Sequence, residues 1–300
     1  MNRNVQTSKT AEIQPRKKRK FPIFQIINGT ILILFSLLCL YPFFNLVLTS
    51  FSSQGDYLNS FMVVIPRHFN IEAYKQIFIQ GNIGRAFLLS VFVTVAGTLY
   101  SMVLTALGAY AMTKRDLVGR KVFFIFIFIT MFFSGGLIPF FLTVKDLGLY
   151  DNIFSLFIPF GINTFNMIIL RNFFAQVPQS VVESCKLVGA NDFTILWRFI
   201  LPLSKAGLAT IALFYLVERW NDWYWPMIFT GENLPATLAY ELRNILSQKT
   251  TDASGSDPTL LYQQGREAAT IIVALLPIVA VYPFIQKYFV KGVMLGAVKA

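Results

Sequence analysis

Glu218, Arg219, Asn221 and Asp222 alternate with Trp220, Trp223, Tyr224 and Trp225 inside a run that is otherwise apolar. Carboxylates and amides exchange hydrogen bonds with a polar solute, and flat aromatic faces cover its C–H surface. Charges at this depth of a bilayer are costly when they face lipid, so the residues predict a cavity or a protein contact. Glu218, Asp222 and Trp225 fall at i, i+4 and i+7, which predicts one helical face. The same residues also fit an interfacial aromatic belt with snorkelling charges. A second apolar run carries Asn163 and Asn166 beside Pro159 and Gly161. Polar interruptions of that kind are tolerated only against protein or a wet cavity.

A different chemistry is written between Val177 and Ser204, where a punctuated, partly charged stretch separates two strongly apolar runs. Pro178 and Ser180 suit a helix start, and Ser180 to Glu183 has the S-x-x-E spacing of a capping box. Gly189 permits a turn. Asn191 is placed to cap a second short helix, whose apolar positions Phe193, Leu196, Trp197 and Ile200 recur at helical spacing and which Pro202 ends or bends. The stretch reads as two short helices held at a membrane surface, presenting Glu183 and its neighbours to something outside the bilayer.

Other chemistries are missing from the sequence. It has no phosphate-cradling glycine loop, no metal-spaced Cys/His cluster and no nucleophile elbow. One histidine, His68, and two separated cysteines, Cys39 and Cys185, leave little for acid–base or thiol catalysis, and both thiols read as free. The chain is not expected to be an enzyme, and no metal or cofactor is expected within it. Any ATP-driven work falls to a partner.

These groups must be positioned by membrane helices, because 55% of the 300 residues are hydrophobic and only 14% are charged. The expected fold is all-α, with six transmembrane helices at about 24–48, 86–112, 122–142, 153–170, 206–229 and 268–290. Residues 1–23 read as a basic, mobile N-terminus, 177–204 as the surface segment between the fourth and fifth spans, 231–267 as an external loop, and 291–300 as a short basic tail. The second run is rich in Ala, Gly, Ser and Thr, which let helices approach closely. Placing both termini, the Lys114–Lys121 turn and the 177–204 segment inside puts most of the 26 Lys/Arg in the cytoplasm and most of the 15 Asp/Glu outside. That division obeys the positive-inside rule, so the net charge of +11 sets orientation and calls for no nucleic acid.

The 177–204 stretch resembles the E-A-A-x-x-x-G signature of the inner-membrane permease subunits of ABC importers, which places Leu-Pro at the nineteenth and twentieth positions when the Glu is the first. Glu183, Gly189, Leu201 and Pro202 stand in that register. Arg171-Asn172-Phe173-Phe174, the Trp220–Trp223 run and the Tyr288–Gly292 tail are similar to the carbohydrate, MalG-like branch, its oligosaccharide members above all. Ser184 and Cys185 replace the paired alanines, and Val188 stands where an Asp often precedes the Gly.

The resemblance implies half of a heterodimeric pathway in a bacterial cytoplasmic membrane, completed by a second homologous permease subunit. Two ATP-binding cassette subunits would bind ATP and Mg, and an extracytoplasmic solute-binding protein would deliver an oligosaccharide. Glu183, Ser184, Cys185, Gly189, Ala190, Leu201 and Pro202 would couple to the ATPase. Glu218, Asn221, Asp222, Trp225, Asn163 and Asn166 would line the substrate pathway. Gln248, Thr251, Asp252, Ser254, Gly255 and Asp257 would form a loop reaching the binding protein. The alternatives are an ABC permease for another solute, such as a polyol or glycerophosphodiester, and a secondary transporter, which usually shows repeated halves that this sequence lacks.

Overall fold

A computed structural model describes residues 23–53, 69–80, 82–114, 116–248 and 263–297. His68, Thr251, Asp252, Ser254, Gly255 and Asp257 lie outside these residues, as do the first 22 and the last three. The chain falls into two compact units that divide between Asn45 and Leu46. The first contains most of helix α1 (Ile23–Ser50), an apolar rod with Pro42 inside it and its large hydrophobic side chains exposed, as a lipid-facing helix requires.

The second unit holds the remaining helices. In order these are α2 (Glu72–Lys75, extended by one π turn), α3 (Ile83–Ala111), α4 (Arg120–Thr130), α5 (Leu137–Asp146), α6 (Thr164–Ala175), α7 (Gln179–Leu187) and α8 (Asp192–Leu203). They are followed by α9 (Lys205–Asn221), α10 (Tyr224–Phe229), α11 (Leu238–Gln248) and α12 (Gln263–Ala297). No strand occurs among the described residues.

The hub is α3, which packs against both α6 and α9, while α9 packs in turn against α12. Ala86, Ser90, Thr94, Thr98, Ser101, Thr105 and Ala109 line the buried stripe of α3. Small side chains at nearly every fourth position let the neighbouring backbones come close, and dispersion between close-packed surfaces then holds the bundle where lipid offers no hydrophobic drive. Gly97 and Gly207 mark two of the close approaches within it. A Cβ on Gly97 would lie 2.8 Å from the Arg219 side chain and 2.9 Å from Phe157, and one on Gly207 would lie 2.5 Å from the Phe173 ring.

Among the described residues three helices are long and apolar enough to cross a membrane, Phe24–Ser50, Ile83–Ala111 and Gln264–Val281. A fourth follows if α8 and α9, which meet at 86°, count as one bent span. The runs expected at 122–142, 153–170 and 206–229 are therefore not single helices. The first is cut between α4 and α5 by Ser134-Gly135-Gly136, with Gly136 at φ +87° and Pro139 in the first turn of α5. The second opens as a 3₁₀ turn at Ile153–Leu156 and resumes as a helix only at Thr164, after Pro159 and Gly161. The third stops at Asn221 because Asp222 is extended, at φ −73° and ψ 112°.

Within the 231–267 segment, expected as an external loop, lies α11, which packs on α3 and α12 and buries Leu238 and Ile245, so residues 238–248 are helical and part of the bundle. The Leu238 N–H donates to Ser90 Oγ at 2.7 Å, pinning the start of α11 to α3.

Candidate functional site

The three broken runs enclose a cavity of about 710 Å³. Its walls are the 134–136 break, α5 through Pro139, Phe140 and Thr143, the 159–163 loop, the end of α9 through Tyr215, Glu218 and Arg219, and then Asp222, Tyr224 and Trp225. Interrupted helices free backbone groups that must find other partners. Arg219 supplies them here: Nη1 donates to the Leu156 carbonyl at 3.2 Å, and Nη2 donates to the Phe160 carbonyl at 2.9 Å and to Ser101 Oγ at 2.8 Å. Tyr215 does the same lower in the wall, accepting from the Asn163 N–H at 3.0 Å and sharing a 2.8 Å hydrogen bond with Thr105 Oγ1. Asn163 Oδ1 caps α6 by accepting from the Asn166 N–H at 3.2 Å.

Glu218, Asp222 and Trp225 do converge, but not on one helical face. Asp222 lies past the end of α9, and its Oδ1 caps α10 by accepting from the N–H groups of Tyr224 (3.1 Å) and Trp225 (3.2 Å). This turn swings Trp225 into an aromatic wall, with ring centroids 4.9 Å from Phe140, 5.1 Å from Phe160 and 5.6 Å from Phe229. Asn163 lines the cavity as expected, whereas two other expected wall residues do not. Asn166 is buried in the bundle, and exposed Asn221 turns back to donate to the Val217 carbonyl at 2.8 Å. The wall thus offers the Glu218 and Asp222 carboxylates, the Asn163 amide and two aromatic faces, while its arginine is spent on holding the wall together.

Asp151 was not singled out from the sequence. At φ +55°, its carboxylate accepts from the N–H groups of Gly231, Asn233 and Leu234 and from Asn233 Nδ2, all at 2.7–3.0 Å. The N–H bonds of Asn233 and Leu234 hold its pKa down at about 2. The clamp fixes the segment that leads into α11. Only the Gly-Leu-Tyr-Asp-Asn turn chemistry at 148–152 could have flagged it.

On α7 and α8, Gly189 sits at φ +81°. Its N–H donates to the Lys186 carbonyl, and the Ala190 N–H donates to the Cys185 carbonyl, each at 3.0 Å, which is a Schellman closure. Asn191 Oδ1 accepts from the Thr194 N–H at 2.8 Å and starts α8 as expected. The Ser180–Glu183 capping box does not form, because α7 begins earlier, at Gln179 after Pro178. Ser180 is therefore inside the helix, its carbonyl accepting from Ser184 Oγ.

Cys185 is buried with Tyr110, Leu170, Ile195, Leu196 and Ile200, and Ala190 and Leu201 pack against that cluster. These three anchor the segment. Glu183, Ser184, Leu187, Val188, Gly189 and Pro202 are exposed, as is the Phe193–Trp197 pair, whose rings lie 6.0 Å apart. Helical spacing placed Phe193 and Trp197 with Leu196 and Ile200, yet only the latter two are buried. A π turn over Leu196–Ile200 rotates the stripe.

Two ion pairs brace this platform to the α3–α4 turn, Lys114 with Asp192 and Lys186 with Asp116 at 3.5 Å. Burial alone would lower the Lys114 pKa, but its bond to Asp192 and the neighbouring Tyr110 outweigh it and raise the value. Both cysteines are free.

The family described as binding-protein-dependent transport system inner membrane component matches residues 104–295, a range that holds the cavity and the α7–α8 segment together. The chain belongs to that family. The polygalacturonan/rhamnogalacturonan transport system permease protein YtcP of Bacillus subtilis (strain 168) is 40% identical to it, over 92% of this permease and 98% of the relative. The diacetylchitobiose uptake system permease protein NgcG of Streptomyces coelicolor is 26% identical, over 91% and 88% of the two chains. A chain from the crystal structure of a bacterial ABC transporter involved in the import of the acidic polysaccharide alginate superimposes with a TM-score of 0.81. It is 34% identical and covered in full, against 92% of this permease. The ABC-permease resemblance read from Glu183, Gly189 and Leu201-Pro202, and the carbohydrate-branch resemblance read from Arg171–Phe174, the Trp220–Trp223 run and the Tyr288–Gly292 tail, are thus carried by whole-chain likeness.

Proposed function

We propose that this permease forms half of the translocation pathway of an ATP-driven importer of oligosaccharides. The observation that carries the reading is the cavity, in which Glu218, Asp222 and Asn163 stand beside Tyr224 and Trp225 on interrupted spans. Carboxylate and amide oxygens accept from sugar hydroxyls, and the indole face covers the apolar side of a pyranose ring. Relatives named for polygalacturonan, rhamnogalacturonan and diacetylchitobiose support the same substrate class.

A second homologous permease subunit completes the pathway, and two ATP-binding cassette subunits bind ATP and Mg. An extracytoplasmic binding protein delivers the glycan to the outer face, beside the Gly231–Leu234 turn that Asp151 clamps. Both termini and the α7–α8 platform lie on the cytoplasmic side. The exposed Glu183, Leu187 and Val188 engage the ATPase while buried Cys185 and partly buried Ala190 and Leu201 transmit its movement into α3, α6 and α9. The 86° junction at Ser204 makes α8 a lever on α9, the helix that carries Glu218.

Uptake of a panel of oligosaccharides in a strain lacking the permease tests the proposal. The expected result is that wild type restores uptake of at least one glycan and that Asp222→Ala and Trp225→Ala reduce it several-fold. Unchanged kinetics in both variants would overturn the assignment of the cavity. A strict preference for a polyol or a glycerophosphodiester would overturn the substrate class.

A further inference from the structure

A second pocket, of about 360 Å³, lies between the α3–α4 turn, the start of α4, the end of α6 and the inner face of α7. Four cations line it, Lys114, Arg120, Arg171 and Lys186, against the single carboxylate of Asp116. Lys114 is neutralised by Asp192 and Lys186 by Asp116. Arg120 and Arg171 have no carboxylate within ion-pair distance among the described residues. Arg171 Nη1 meets only the Asn172 amide oxygen, its guanidinium stands 5.7 Å from the Phe124 ring centroid, and its Nε is buried with no acceptor. A buried guanidinium donor without an acceptor is costly unless an anion arrives to satisfy it.

The volume sits at the small end of ligand pockets and suits a headgroup rather than a glycan. Above the pocket rises α4, which buries none of its residues and exposes Val122, Phe123 and Phe126 along its length. A cationic cup at the foot of an exposed apolar helix matches the two halves of a membrane lipid, a phosphate and its acyl chains.

We propose that this pocket binds a phosphate-bearing anion, and that its source in the membrane is the headgroup of an anionic phospholipid. Arg120 and Arg171 grip the phosphate oxygens with charge-assisted hydrogen bonds, while Lys114 and Lys186, each paired with a carboxylate, brace the walls around them. Pro178 and, on α7, Gln179, Val182 and Lys186 form one side of the cup, so the bound headgroup ties the α7–α8 platform to the α3–α4 turn. Membrane composition then tunes the stiffness of that platform.

The assembled transporter, reconstituted in nanodiscs of phosphatidylcholine with or without phosphatidylglycerol, provides the test. Phosphatidylglycerol is expected to raise the thermal midpoint and the amide protection of residues 178–187 in wild type. Apparent affinity for it should fall about fivefold for each arginine removed. Arg120→Gln/Arg171→Gln should match wild type in pure phosphatidylcholine yet lose the response, whereas Lys145→Gln, on exposed α5 residue Lys145, should keep it. If the double variant fails to assemble, Arg120→Gln alone serves as the reporter. An undiminished response in the arginine variants would overturn the site. A response to inorganic phosphate in phosphatidylcholine discs, with none to phosphatidylglycerol, would overturn the lipid source.

Discussion

At the scale of single residues, Arg219 and Asp151 hold together what interrupted helices and loops would otherwise leave open. Arg219 gathers Leu156, Phe160 and Ser101, groups 59 to 118 positions away in the chain. Arg219→Met strands the part-buried Leu156 carbonyl and leaves the Phe160 carbonyl only Ser101 Oγ at 3.4 Å, and is expected to cost about 1–3 kcal/mol, seen as a lower thermal midpoint of the purified transporter. Asp151 behaves differently with pH. Its folded pKa, about 2, lies below the ordinary value of 3.8, so its contribution is complete above pH 3.8 and is lost as pH falls toward 2. Asp151→Asn should raise hydrogen exchange at Gly231, Asn233 and Leu234 at neutral pH to the level wild type reaches only in acid. The Asp151 clamp was not legible in the sequence; for Arg219 the sequence showed only that it must meet a cavity or a protein contact. Glu218, Asp222 and Trp225 were legible as a polar and aromatic group inside an apolar run, but the i, i+4, i+7 face was not their true geometry. Capping by the Asp222 side chain competes with helix continuation, and the backbone breaks there.

At the scale of elements, the long apolar runs of α1, α3 and α12 could be read from composition, since helix is the one local solution for a continuous apolar span. The interruptions at Ser134–Gly136 and Pro159–Gly161 were visible as punctuation. Their consequence, a shared cavity, depends on packing against α3 and α9 and is written in no local pattern. The α7–α8 segment was the most legible element, because Gly189 and Asn191 act through their own backbone. Gly189→Ala meets no steric neighbour, so the left-handed φ alone sets its cost, about 1–2 kcal/mol. That variant should retain assembly and slow ATP-dependent uptake, while Gly189→Pro, whose ring forbids φ +81°, should abolish it. Equal uptake rates for wild type and both variants would show that the turn is irrelevant to coupling. Cys185 and Ala190, expected among the ATPase contacts, face the core instead, since a short amphipathic helix on a membrane protein must bury one stripe to be held at all.

At the scale of the whole molecule, the permease combines a cavity built from interrupted apolar runs, proposed to take the solute, with an exposed platform, joined through the bent α8–α9 pair. Composition and the positive-inside distribution were enough to place it in a membrane, and the register of Glu183, Gly189 and Leu201-Pro202 to name its family. The central claim is that force from an ATPase enters at Glu183 and moves a glycan past Glu218. ATP-dependent uptake of a labelled oligosaccharide by proteoliposomes holding the complete transporter, wild type against Glu183→Lys, tests it most directly. Glu183→Lys is expected to insert and fold as wild type does but to lose ATP-dependent uptake. Wild-type uptake by that variant, or uptake by the purified permease without an ATPase, would contradict it.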